Sequence, residues 1–331
     1  MGFQNIGVVG GGAWGTALAQ STRHAGRDVL LWAYEFETIS EINDHHQNRN
    51  YLPGVDLDPK IRATGKLQEI AACDAILLVT PAQYLRKISA ELAEYLNASK
   101  PLVICAKGIE QTSHELLSDV LAEAAPAATP AVLSGPSFAA EVARGLPAAV
   151  TLACGDEGLG EKLAHAVGHT TFRPYWSDDL IGAQVGGAVK NVLAIGAGIV
   201  VGKELGASAH AALVTRGFHE IVDLGQSLGA RFETLTGLSG IGDLMLTCSS
   251  PQSRNMSLGI ALGRGETLDD VLGSRKSVSE GVFTASAVIE MAQERGLDLP
   301  ICAAVESVVS GAMTVDQAIE ALLARPLRAE A

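Results

Sequence analysis

Short apolar runs divide the first half of the chain, and longer stretches with helical spacing fill the second. Ile6–Val9, Val29–Trp32, Ala75–Val79, Leu102–Ala106 and Ala131–Leu133 are apolar almost throughout, the mark of strands covered on both faces of a parallel sheet. Ala148–Leu152 and Thr171–Tyr175 predict two further strands that extend it. The alternation stops at Asp178 and Asp179. From Leu180 onward the spacing is helical: Val214, Phe218, Ile221, Leu224 and Leu228 recur three and four apart, and helices are predicted over Phe283–Glu294, Ile301–Ser310 and Thr314–Ala324. The pattern therefore predicts an α/β domain over residues 1–180 and an all-helical domain over 181–331. No repeat period of a solenoid and no low-complexity tract interrupts it.

The longest apolar run, Leu180–Gly202, carries a single charge, Lys190. An ammonium loses several kcal/mol on burial without compensation, so Lys190 either snorkels to water or serves a site. Gly186 and Gly187 just before it would let a backbone or a ligand come close. Six glycines, Gln184, Asn191 and a central lysine make the run a poor membrane span, and a buried helix joining two halves of a protein fits better.

Chemistry gathers where strands end. Ile6–Val9 leads into G-G-G-A-W-G (Gly10, Gly12, Ala13, Trp14 and Gly15 among them) and then into a helix-forming stretch. Strand, glycine turn and helix supply what a pyrophosphate needs: a tight turn at Gly10, close approach at Gly12, helix–strand packing at Gly15, and free amides at the helix N-terminus. The second strand ends at Tyr34 and Glu35, the latter twenty positions after Gly15, where an acid accepts hydrogen bonds from an adenosine ribose and repels a 2′-phosphate. That favours NAD over NADP unless Arg49 swings in to offset it. Lys107 and Gly108 follow the Leu102–Ala106 strand at its carboxyl end, where open sheets bind ligands. S-G-P-S-F-A-A-E, with Gly135, Ser137 and Ala139, is a turn before a helix start.

In the helical half, Asp243 and Thr247 are four apart and able to share a helix face, while Arg254 and Asn255 offer a planar cation and an amide suited to a phosphate. Ser253 reads as an N-cap. The polar loop Arg275–Gly281, with Val278 and Glu280, has no reading from spacing alone.

Composition narrows the classes. The net charge of −13 argues against a nucleic-acid or anionic-membrane surface, though not against a small anionic substrate. Five widely spaced cysteines form no C-x-x-C pair, which predicts buried free thiols in a reducing compartment and no zinc site. No export signal precedes the first strand, so a cytoplasmic protein is expected.

Taken in order, G-G-G-A-W-G-T-A-L-A, A-K-G-I-E, S-G-P-S-F-A, G-G-A-V-K-N-V-L-A-I-G-A-G, T-R-G, G-I-G-D-L with L-T-C, and S-R-N resemble the bacterial NAD(P)-dependent glycerol-3-phosphate dehydrogenases, from Ile6 to about Ala324. The resemblance implies a Rossmann-like N-terminal domain and an all-α C-terminal domain of the 6-phosphogluconate dehydrogenase C-terminal-like kind. It also implies reduction of dihydroxyacetone phosphate with NAD(H) or NADP(H), for phospholipid synthesis, and a homodimer. Carried over by position, Lys190 is the catalytic lysine and Lys107 touches cofactor and substrate. Asp243 orients Lys190, with Thr247 beside it. Gly135, Ser137, Ser253, Arg254 and Asn255 match substrate positions, and Trp14, Tyr34, Ala139, Arg254, Val278 and Glu280 match cofactor contacts. Relatives often carry a basic residue or histidine at Tyr34 and asparagine at Ser208. Two other readings are a related two-domain reductase acting on a carboxylate and a nucleotide sensor without turnover.

Overall fold

A computed structural model describes residues 2–96, 99–273 and 279–326. Eight strands form one sheet: β1 (Asn5–Val9), β2 (Asp28–Trp32), β3 (Arg62–Thr64), β4 (Ala75–Leu78), β5 (Pro101–Ile104), β6 (Thr129–Ser134), β7 (Ala148–Ala153) and β8 (Phe172–Ser177). Their order across the sheet is β3-β2-β1-β4-β5-β6-β7-β8, and neighbours run parallel except β6 and β7, which are antiparallel.

The apolar runs become strands because the sheet is covered on both sides. Every residue of β4 and β5 is buried, and successive side chains go to opposite cores. Leu77 packs with Val8, Leu31 and Val103 on one face, whereas Ile76 and Leu78 pack with Leu102 and Ile104 on the other. The short edge strand β3 has no apolar run to mark it. Arg62 is exposed, and the strand forms by pairing with β2 at Leu30–Trp32.

Asp179 ends the sheet half and starts the next. Its Oδ1 accepts the Gly182 amide at 2.8 Å, capping the helix Leu180–Gly202, and its Oδ2 accepts the Arg231 amide at 2.9 Å. This helix is long and apolar enough to cross a membrane, yet 89% of its most apolar window is buried inside the protein. Its glycines explain how so poor a helix former is kept. A Cβ at Gly198 or Gly202 would lie 2.1 Å from Met256 O or 2.3 Å from Ile260 O. In return, one at Gly259 would lie 2.0 Å from Ile195 O. The helices Leu180–Gly202 and Arg254–Gly263 therefore pack backbone to backbone.

The remaining helices surround this pair. Ala207–Ser227 buries Ile221 and Leu224 and packs Val214 and Phe218 more loosely, as does Leu228 at its C-cap. Glu280–Glu294, Pro300–Val309 and Val315–Leu323 complete the helical core, the last capped by Thr314 in a reciprocal bond with Gln317.

Candidate active site at the seam of the two halves

The glycine turn is shaped by contacts that only glycine tolerates. Gly10 adopts φ +130°, and a Cβ at Gly15 would sit 1.9 Å from Gly10 O. Gly12 differs, since a Cβ there meets nothing within 4 Å. Its backbone borders open space at the start of the helix Ala13–His24, as close approach by a pyrophosphate requires. Beside it, the buried Trp14 Nε1 has no hydrogen-bond partner among the described residues, nor does Thr80 Oγ1 at the end of β4. Orphaned buried donors bordering an open cradle fit a dinucleotide. The helix Ala139–Ala143, which begins with the predicted Ala139, packs against Ala13–His24.

At the outer end of the cradle, Tyr34 is 85% exposed and Glu35 precedes the helix Phe36–His45. Asn48, which pattern reading missed, ties the neighbouring loop to the turn. It is buried, and its Nδ2 donates to Gly11 O and to Thr16 Oγ1, both at 2.8 Å. Only its place three residues before Tyr51, in N-R-N-Y-L-P-G, hinted at a turn.

The catalytic candidates meet where the halves join. Lys107, just past β5, donates from Nζ to Gly135 O at 2.9 Å and to Asp243 Oδ2 at 2.6 Å. Lys190 donates to the other carboxylate oxygen, Asp243 Oδ1, at 2.5 Å and to Thr247 Oγ1 at 2.8 Å. Thr247 in turn donates to Asp243 O at 2.6 Å, so the predicted shared helix face is real. Lys190 does not snorkel. It is 6% exposed, and Asp243 1%. Burial pushes its ammonium down to about 8, against the pull of Asp243 and with help from Lys107.

Gly186 and Gly187 make this meeting possible. A Cβ at Gly186 would lie 2.5 Å from Ser239 O, in the π-helical turn Leu238–Gly242 that leads directly into Asp243. One at Gly187 would lie 2.6 Å from Ser134 Oγ and 3.5 Å from Lys107 Cγ. The widened turn matters because π-turns shift the residue that follows relative to a regular helix, here the aspartate.

The other predicted residues line the same region. Gly135 has φ +148° and packs against Val150, and Ser137 Oγ donates to Gly135 O at 3.0 Å. Ser253 caps the helix Arg254–Gly263 by accepting the Met256 amide. Arg254 is solvent-accessible at the first position of that helix, within the field of Glu280. Asn255 accepts the Gly281 amide at 3.1 Å and donates one amide hydrogen to Asn191 Oδ1 at 3.0 Å, while Asn191 reaches Lys107 O at 3.3 Å. Asn191 was visible in sequence only as the neighbour of Lys190. Glu280 accepts the Ala82 amide at 3.3 Å, its Oε2 is buried without a partner among the described residues, and burial raises its pKa. Val278 and the loop residues 275–277 lie outside the described residues.

The models of the N-terminus and the C-terminus of NAD-dependent glycerol-3-phosphate dehydrogenase match residues 5–159 and 179–320. The chain is 61% identical over 99% of its length to glycerol-3-phosphate dehydrogenase [NAD(P)+] of Parvibaculum lavamentivorans, covering 98% of that protein. It is 57% identical to the Maricaulis maris protein of the same name, again over 99% of this chain and 98% of the relative. Among solved structures, glycerol-3-phosphate dehydrogenase from Coxiella burnetii superposes with a TM-score of 0.93 at 35% identity, over 98% of this chain and 99% of that one. On residues, fold and site together, the chain belongs to the NAD-dependent glycerol-3-phosphate dehydrogenase family.

Proposed function

We propose that this protein reduces dihydroxyacetone phosphate to sn-glycerol 3-phosphate with NADH or NADPH. We read it as a cytoplasmic homodimer whose product feeds glycerophospholipid synthesis. Residues 1–180 hold the dinucleotide and 181–331 the substrate, with the reacting atoms at the seam. The observation that carries this reading is the single buried carboxylate of Asp243, shared between Lys190 and Lys107.

Reduction of a ketone needs a hydride at carbon and a proton at oxygen; the nicotinamide supplies the hydride. Lys190 donates the proton to the forming alkoxide and takes it back in the reverse direction. An ammonium held near 8 loses its proton far more readily than an ordinary lysine, and Asp243 and Thr247 hold it in one orientation. Lys107 adds positive charge where the carbonyl oxygen turns negative. Arg254, at the N-terminus of its helix with Ser253 and Asn255 beside it, holds the phosphate. Trp14, Tyr34, Ala139, Val278 and Glu280 contact the dinucleotide, and Gly10, Gly12, Ala13 and Gly15 cradle its pyrophosphate.

The first assay is oxidation of NADH and of NADPH with dihydroxyacetone phosphate, against dihydroxyacetone plus inorganic phosphate. Turnover with the phosphorylated ketone alone is expected. A carboxylate reductase would instead consume cofactor with a 2-oxo acid, and a sensor would bind it without turnover. A sensor has no use for two lysines on one buried aspartate.

A further inference from the structure

The relatives named above carry NAD(P)+ in their names, so the choice made by this chain rests on its own residues at the ribose end of the cradle. Five side chains there act together. Glu35 lies three residues past β2, in a segment packed against the turn: a Cβ at Gly11 would meet Ala33 Cβ at 2.7 Å and Thr38 Cγ2 at 3.1 Å, on either side of it in sequence. The Tyr51 hydroxyl donates to Glu35 Oε1 at 3.1 Å. The loop bearing Tyr51 is itself fixed, because Asn48 bonds Gly11 O and accepts the Tyr51 amide at 3.3 Å.

Arg49, the cation nearest Tyr51 along that loop, is held elsewhere. Its backbone amide donates to Glu41 Oε2 at 3.0 Å, and its guanidinium pairs with Glu41 Oε1 at 3.5 Å. The Glu41 side chain is 16% exposed against 64% for Arg49, so the carboxylate is the fixed member of the pair.

We propose that this chain prefers NAD(H) over NADP(H), with Glu35 as the specificity-determining residue, Tyr51 as the positioning residue that anchors it, and Glu41 as the tether that keeps Arg49 from a 2′-phosphate. A carboxylate aimed at the ribose accepts from its hydroxyls and repels a dianion in the same place. The Tyr51 phenol strengthens this arrangement: burial and the nearby Glu35 charge keep it protonated, and hence a donor, above the ordinary tyrosine range. An arginine free to swing in would offset the repulsion, and the Glu41 pair opposes that swing.

The test measures dissociation constants of NADH and NADPH by fluorescence in the absence of substrate, so it stands whether or not dihydroxyacetone phosphate is the ketone. The wild type is expected to bind NADH at least about tenfold more tightly than NADPH, the scale of one charge repulsion near a surface. Glu35→Gln should improve NADPH binding and narrow the ratio. Tyr51→Phe should narrow it too, with its change confined to cofactor dissociation constants and KM while kcat and melting temperature stay put; a merely structural tyrosine would lower the melting temperature and leave the ratio alone. Glu41→Gln should improve NADPH binding and leave NADH unchanged. Equal or tighter NADPH binding by the wild type, or a ratio untouched by Glu35→Gln, would overturn the proposal.

Discussion

At the scale of the residue, Lys190 carries most of the proposed chemistry and the sharpest prediction. Its surroundings lower the ammonium to about 8, with burial the leading cause. Reduction needs the protonated form, so kcat/KM for the ketone should fall as pH rises through about 8. Oxidation of the alcohol needs the neutral amine and should gain over the same interval. A pH profile of the two directions that moves in parallel would contradict the assignment. Lys190→Met should lower kcat by roughly 10²–10⁴-fold, the usual worth of a positioned proton donor, while NADH still binds. The importance of this residue was legible in the sequence because a lone charge in an apolar helix is expensive. Its partners Asp243 and Thr247 came only with the family resemblance. The i,i+4 spacing of Asp243 and Thr247 pointed to one face, but nothing in the pattern tells which buried cation that face meets, or that Lys107 reaches the same carboxylate from the other half. The roles of Asn48 and Asn191 were hidden for a related reason: an asparagine that satisfies a distant backbone carbonyl has no signature along the chain.

At the scale of the element, two glycines of similar appearance should behave in opposite ways. Gly259→Ala would place a methyl 2.0 Å from Ile195 O, between helices in backbone contact. A loss of about 1–3 kcal/mol, as for overpacked cores, should appear in denaturant melts. Gly12→Ala meets nothing within 4 Å at an ordinary φ of −72°. It should leave the melt unchanged and weaken NADH binding. The helix Pro300–Val309 offers a different case. Its first free amides, at Ile301 and Cys302, are capped across space by Glu220 at 2.7 and 2.9 Å. Glu220→Ala would orphan both, at about 1–3 kcal/mol for each buried amide. Burial raises the Glu220 carboxyl to about 7. A raised carboxyl binds its proton more tightly folded than unfolded. Its contribution to stability is therefore full below the unfolded value of 4.5 and fades as pH rises through about 7. Unfolding free energies of wild type and Glu220→Gln across that window should differ in slope, with the variant flatter. Helices of the second half were foreseeable from spacing, whereas this cap was not, because Glu220 reads as one more polar residue on Ala207–Ser227.

At the scale of the molecule, Asp243 is the joint. It belongs to the helical half, yet it pairs with Lys107 of the sheet half as well as with Lys190. Under the proposed function, the same carboxylate would set the charge of the proton donor while it fastens the two halves at their seam. Asp243→Asn keeps the shape and removes the charge. The buried Lys190 ammonium and the part-buried one of Lys107 then face each other without a counter-ion, a loss of about 3–5 kcal/mol for a broken buried pair unless a proton leaves. The cheaper outcome is that Lys190 gives up its proton. Asp243 is what raises its pKa against burial and Lys107, so without that charge the value must fall below about 8. The variant should consequently reduce the ketone only at more acid pH than the wild type, with the falling limb of its profile displaced downward. It should also melt at lower temperature, with a deficit that shrinks as pH rises and the lysine becomes neutral. A variant that lost stability equally at all pH values, with the limb unmoved, would mean that Asp243 holds the halves together without tuning the lysine. Both effects together are what one carboxylate serving two cations requires.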